Sequence, residues 1–223
     1  MREIVIVGFP KCGTSALIRR FAEEDDVHVL YAANGHVDAL FPDRSNLPAD
    51  KVIVHKCPTY ILKRDYLLRL REVVGPADIV VCYRRLPRVL LSWHNMHRRI
   101  ARTGVQPNHF VHREPEFWAN CSVDDYYHKS AHRFRMDMFF DQLLRLFPDE
   151  QVTVVAQEKM ARSVTNVVKL LKGEAEVEVE AEAHMGYADR ADADIAPDVL
   201  EILEETYQRF LARVAASGVR SIT

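Results

Sequence analysis

A chain of 223 residues is long enough for one generous domain or two small ones. Its 48% hydrophobic and 28% charged residues are an ordinary globular mixture, and a net charge of −2 excludes a uniformly basic nucleic-acid binder. It shows no basic stretch leading into an apolar leader, and no apolar run near the roughly 20 residues of a membrane span, so a cytoplasmic protein with no nucleic-acid or membrane partner is expected.

Apolar β-branched runs alternate with helical periodicity along the chain. IVIV at 4–7 predicts a buried strand and SALIRRFAEE at 15–24 a helix. VHVLY at 27–31 and VIVH at 52–55 follow as strands, LKRDYLLRLREVV at 62–74 as a helix, DIVVCY at 78–83 as a strand and PRVLLSWHNMHRRIA at 87–101 as a helix. A long helical pattern at 134–147, a strand QVTVV at 151–155, and helices at 159–171 and 196–214 complete the series. The Glu-rich alternation at 173–194 reads equally well as an edge strand or as a solvated acidic connector. Such alternation predicts an α/β fold, a single domain over 1–223 with a mainly parallel sheet flanked by helices.

The stretch GFPKCGTS, residues 8–15, falls between the first strand and the first helix. Backbone N–H groups at a helix start face outward and favour an anion, Gly8 and Gly13 suit a tight turn, and the Thr14 and Ser15 hydroxyls add donors. A triphosphate loop, GxxxxGK[ST], carries lysine directly after its second glycine. Here that position is Thr14, and Lys11 lies two residues before Gly13. Cys12, Cys57, Cys82 and Cys121 have no metal-ligand or CxxC spacing, so four reduced thiols and no metal are expected, with Cys12 in the anion loop a candidate for a lowered pKa.

GFPKCGTSAL resembles the 5′-phosphosulfate loop, close to GxPKxGTSxL, of sulfotransferases that use 3′-phosphoadenosine 5′-phosphosulfate (PAPS). HKCPTY at 55–60 resembles the EKxPxY segment of the carbohydrate and heparan-type branch, and IVVCYRRLPRVLLSW at 79–93 resembles the family's 3′-phosphate segment, an arginine followed eight residues later by a serine. LLRLFPDEQVTVVAQEKM extends the likeness towards the end of the chain, where Phe134 and Met136 replace a GxY of relatives.

The resemblance implies a P-loop-like sulfotransferase fold and PAPS as sulfuryl donor, with no metal required. It implies donor contacts from Pro10, Lys11, Cys12, Gly13, Thr14, Ser15 and Ala16, from Arg84 with Ser92, and from Arg190 in a closing loop, with Arg85 the rival to Arg84. It implies catalysis by Lys11 at the departing oxygen, Lys56 at the sulfuryl group and His55 as general base, standing where relatives carry glutamate. The expected acceptor is a carbohydrate or small metabolite, offered through a hydroxyl or amine. Trp93 and Trp118 are candidates to stack on it, or core residues, and the Arg- and His-rich stretch 84–113 is either an attractive patch or a solvated helix face. The rival readings are a P-loop nucleotide kinase and a non-catalytic relative that binds adenosine bisphosphate.

Overall fold

The structure is a computed structural model and describes residues 2–32, 38–104, 111, 113–174 and 194–223. The described residues fall into two compact units, one within Met1–Arg84, Asp137–Ala181 and Phe210–Thr223, the other within Arg85–Met136 and Glu182–Arg209.

The first unit is built on six strands: β1 Glu3–Ile6, β2 Val27–Leu30, β3 Val52–Lys56, β4 Asp78–Tyr83, β5 Val152–Ala156 and β6 Arg220–Ile222. They form one sheet in the order β2-β3-β1-β4-β5-β6, with every pairing parallel. Parallel strands covered on both faces read as unbroken apolar runs, and β1 and β5 are buried at every residue. Helices α1 Thr14–Phe21 and α2 Arg64–Val74 return the chain between strands. Phe210 packs in this unit against Phe9, Tyr83 and Phe140, with ring centres 5.1–5.9 Å apart.

β1 lies in the middle, with β3 on one side and β4 on the other. Since the chain runs outward in both directions from β1, the topological switch point falls beside it, and the carboxyl ends of strands at such a point are where open α/β sheets bind ligands.

The second unit holds α3 Leu86–Thr103, α4 Pro115–Asn120 and α5 Val123–Ser130, with a single turn of tighter helix at Ala131–Phe134. Its core is aromatic: Trp93 packs on Phe134 and His97, and Trp118 on Tyr126 and Phe117. Both tryptophans are buried, so neither presents a stacking face. His94 and His97 are buried too, paired with the Cys121 carbonyl at 3.0 Å and the Tyr126 hydroxyl at 2.8 Å, so the basic stretch is only partly a surface face.

Helix α6 runs Met136–Leu144, α7 Gln157–Lys172 and α8 Pro197–Ala216. α7 is broken by an extended backbone at Ser163, whose hydroxyl accepts the Asn166 N–H at 3.3 Å and so restarts the helix. β6, α4 and α5 add to the elements expected from periodicity. β6 is three residues long and pairs with β5, while α5 carries a readable start, a capping box between Ser122 and Asp125. Of the acidic stretch 173–194, residues 175–193 lie outside the described residues.

Candidate functional site

The loop after β1 is shaped by close backbone approach. The Phe9 N–H donates to the Cys82 carbonyl at 3.0 Å, and a β-carbon on Gly8 would lie 2.1 Å from the Cys82 nitrogen, so only glycine fits beside β4. Lys11 takes a left-handed backbone at φ 67°, as does Gly13 at φ 84°, where the chain turns into α1. Gly13 is the residue before the helix and supplies no side-chain cap. The Ala16 N–H donates to the Gly13 carbonyl at 2.9 Å, while the N–H groups before it have no intrahelical acceptor. Thr14 is buried, whereas Ser15 and Ala16 are exposed and Pro10, Lys11 and Gly13 half-buried.

Cys12 is buried in the turn, and its thiol is pushed well up, first by burial and then by the neighbouring Cys82, against a smaller opposing effect of the Arg84 charge. This corrects the expectation of a lowered pKa: the apolar enclosure of the thiol outweighs the helix start and the guanidinium.

β3 supplies the second part. Successive strand residues point to opposite faces of a sheet. Lys56 extends on the α1 face, where its ammonium donates to the Ser15 hydroxyl at 2.9 Å and pairs with the Asp38 carboxylate at 2.6 Å. The lysine side chain is only 1% exposed, against 41% for Asp38. The register of β3 with β1 places His55 opposite Val5, but the ring leans back two residues towards Glu3, its Nδ1 3.4 Å from Oε1. Glu3 is itself gripped by both terminal nitrogens of Arg44. His55 is 1% exposed and meets the edge of Tyr60 at 5.8 Å between ring centres.

The structure thus brings the Lys56 ammonium to the loop, while the His55 ring lies against Glu3 and Tyr60. The period of two along a strand accounts for the difference between them: Lys56 points to the α1 face and His55 to the other. Asp38 went unremarked in the sequence because nothing in its local pattern marks it.

No protein-family profile matches the sequence, and no curated protein matches it. Solved structures do. A sulfotransferase from Alicyclobacillus acidocaldarius superposes with a TM-score of 0.64 at 17% identity, over 96% of each chain. The sulfotransferase domain from the curacin biosynthetic pathway superposes with a TM-score of 0.50 at 13% identity, over 88% of this chain and 83% of that one. The chain has the sulfotransferase fold.

Within that sulfotransferase fold the remaining expected residues fall as follows. Arg84 follows the end of β4, half-buried, close enough for its charge to be felt at Cys12. Arg85 belongs to the second unit and pairs there with Glu204 at 2.6 Å. Ser92 lies on α3, half-buried. Phe134 and Met136 are buried packing residues, and Arg190 lies outside the described residues. Among the described residues no cluster of His, Cys, Asp or Glu is placed to hold a metal ion, and no helix is long and apolar enough to cross a membrane. An open pocket between Arg71 and Gln151 lies before β4 and β5, at the amino ends of the strands and so away from the loop.

Proposed function

We propose that the protein transfers a sulfuryl group from PAPS to a hydroxyl or amine of a carbohydrate or small-metabolite acceptor. The observation that carries this reading is the 2.9 Å contact between the Lys56 ammonium and the Ser15 hydroxyl. Ser15 occupies the loop position whose hydroxyl binds magnesium in GxxxxGK[ST] triphosphate loops. Here a lysine ammonium stands at that hydroxyl, and a divalent cation placed beside it would be repelled. A loop that uses a protein cation in place of a metal suits a phosphosulfate, which carries less charge than a triphosphate.

The residues fit such a donor. The N–H groups from Cys12 onward at the start of α1 would hold its 5′-phosphate, with Thr14 and Ser15 adding hydroxyls, and Arg84 would grip the 3′-phosphate through its planar fork. Lys11, held in the loop by its left-handed backbone, would meet charge developing on the departing oxygen, and Lys56 would steady the sulfuryl oxygens. PAPS supplies the activated sulfonate; the chain supplies position and positive charge. His55, expected as base from its motif, is given a supporting role in this reading because its ring lies against Glu3 and Tyr60 rather than at the loop. A cytoplasmic setting, which keeps thiols reduced, suits the four free, buried cysteines.

The test is thermal unfolding with 3′,5′-adenosine bisphosphate compared with ATP plus magnesium. At a hundredfold excess over Kd the bisphosphate is expected to raise the midpoint by roughly 5–10 °C, because it binds only the folded state. A rise with ATP and magnesium alone would replace this reading with a nucleotide kinase. A rise with bisphosphate but no transfer to any acceptor would leave the non-catalytic relative.

A further inference from the structure

We propose that Asp38 is the proton acceptor for the incoming nucleophile, a role that rests on the sulfuryl-transfer reading above. The carboxylate, the Lys56 ammonium and the Ser15 hydroxyl form one connected line, with contacts of 2.6 and 2.9 Å. Lys56 is covered at 1% exposure while its partner Asp38 is open at 41%, so an acceptor approaching Lys56 from the side of this pair meets the carboxylate. It lies between β2 and β3, past the carboxyl end of β2, on the side of the sheet where the loop opens.

The segment that carries Asp38 is pinned in a way that a passive surface loop does not require. The Ala39 N–H donates to the Lys56 carbonyl at 2.9 Å, and the Phe41 N–H to the Tyr60 hydroxyl at 2.7 Å. Phe41 is held at φ 49°, a left-handed backbone that is unfavourable for a non-glycine residue, with the Arg69 guanidinium 4.3 Å over its ring. Three residues further, Arg44 closes on Glu3. A carboxylate on the first residue of a buried strand, with His55 beside it, is thereby explained: the Glu3, Arg44 and His55 group anchors the segment that aims Asp38.

The step balances without a further reactant. A lone pair on the acceptor oxygen or nitrogen forms the new bond to sulfur. The bridging bond from sulfur to the donor's phosphate oxygen breaks, and its electron pair stays on that oxygen, facing Lys11. The acceptor's proton passes to the Asp38 carboxylate. Lys56 ties the two events together, because a sulfuryl oxygen that takes up its ammonium releases Asp38 for the proton.

The experiment uses the full chain with Asp38→Asn and Asp38→Glu, and water as the probe acceptor, followed as sulfate released from PAPS. Binding is read in parallel from the midpoint shift with 3′,5′-adenosine bisphosphate. The expected result is a bisphosphate affinity kept within about threefold in Asp38→Asn, with sulfate release lowered by roughly 10²-fold and partly recovered in Asp38→Glu. Release by Asp38→Asn within about threefold of wild type overturns the proposal. So does loss of bisphosphate binding together with release, which would make Asp38 structural, and so does a wild type that binds bisphosphate but releases no sulfate. A wild type that shows neither binding nor release removes the sulfuryl-transfer reading itself, and this proposal with it.

Discussion

His55 and Lys56 are adjacent in the chain and lie on opposite faces of the sheet, the first against Glu3 at 3.4 Å and the second against Ser15 at 2.9 Å. Their substitution should therefore separate. Lys56→Ala is expected to lower turnover by about 10²–10³-fold, the cost of one electrostatic contact at a reacting group. His55→Ala is expected to leave turnover within about tenfold and to lower stability by roughly 1–3 kcal/mol, read from a denaturant midpoint. A turnover loss in His55→Ala equal to that of Lys56→Ala would return the histidine to the site.

Glu3 should make the protein's stability sensitive to acid. Burial works to raise its pKa, but the hydrogen bonds and charge of Arg44, with His55 beside it, outweigh burial and hold it below its ordinary value of 4.5. A depressed carboxylate contributes stability that is present above that ordinary value and lost as pH falls through the lower, folded one. Glu3→Gln should cost about 2 kcal/mol or more at neutral pH, since it leaves Arg44 and His55 without their partner. Measured by urea unfolding across a pH series, the gap between variant and wild type should narrow below pH 4.5. A gap independent of pH would mean the pair is not a folding contact.

Gly8 tests the packing of the loop against β4. With a β-carbon 2.1 Å from the Cys82 nitrogen, Gly8→Ala must push apart two strands joined by hydrogen bonds. The expected loss is about 3 kcal/mol or more, seen as reduced soluble yield and a lowered melting midpoint. A variant as stable as wild type would show that the loop has slack.

Arg84 and Arg85 should differ in kind. Arg85→Ala removes a partly exposed ion pair with Glu204 and should change stability by no more than about 1 kcal/mol, leaving bisphosphate affinity nearly intact. Arg84→Ala should weaken 3′,5′-adenosine bisphosphate about tenfold or more, the scale of one charge-assisted hydrogen bond, while an analogue without the 3′-phosphate is affected little. Calorimetric titration of both ligands decides between them. Equal losses for the two ligands would assign Arg84 to another part of the donor.

Much of this protein is legible in its residues. Apolar runs such as IVIV and DIVVCY announce buried parallel strands because such strands are covered on both faces, and the glycines of GFPKCGTS announce a tight strand-to-helix turn because backbone geometry is local. The short strand Arg220–Ile222 escaped because three residues carry no periodicity and its partner, β5, is far away in sequence. The tertiary structure alone decided which residues meet. It turned His55 away from the loop, drew Asp38 to Lys56 across 18 residues of chain, and buried Cys12 deeply enough to reverse the expected direction of its pKa. Motifs record which side chains follow one another, whereas contact, exposure and charge environment depend on the sheet's alternation and on segments that come together only when it forms.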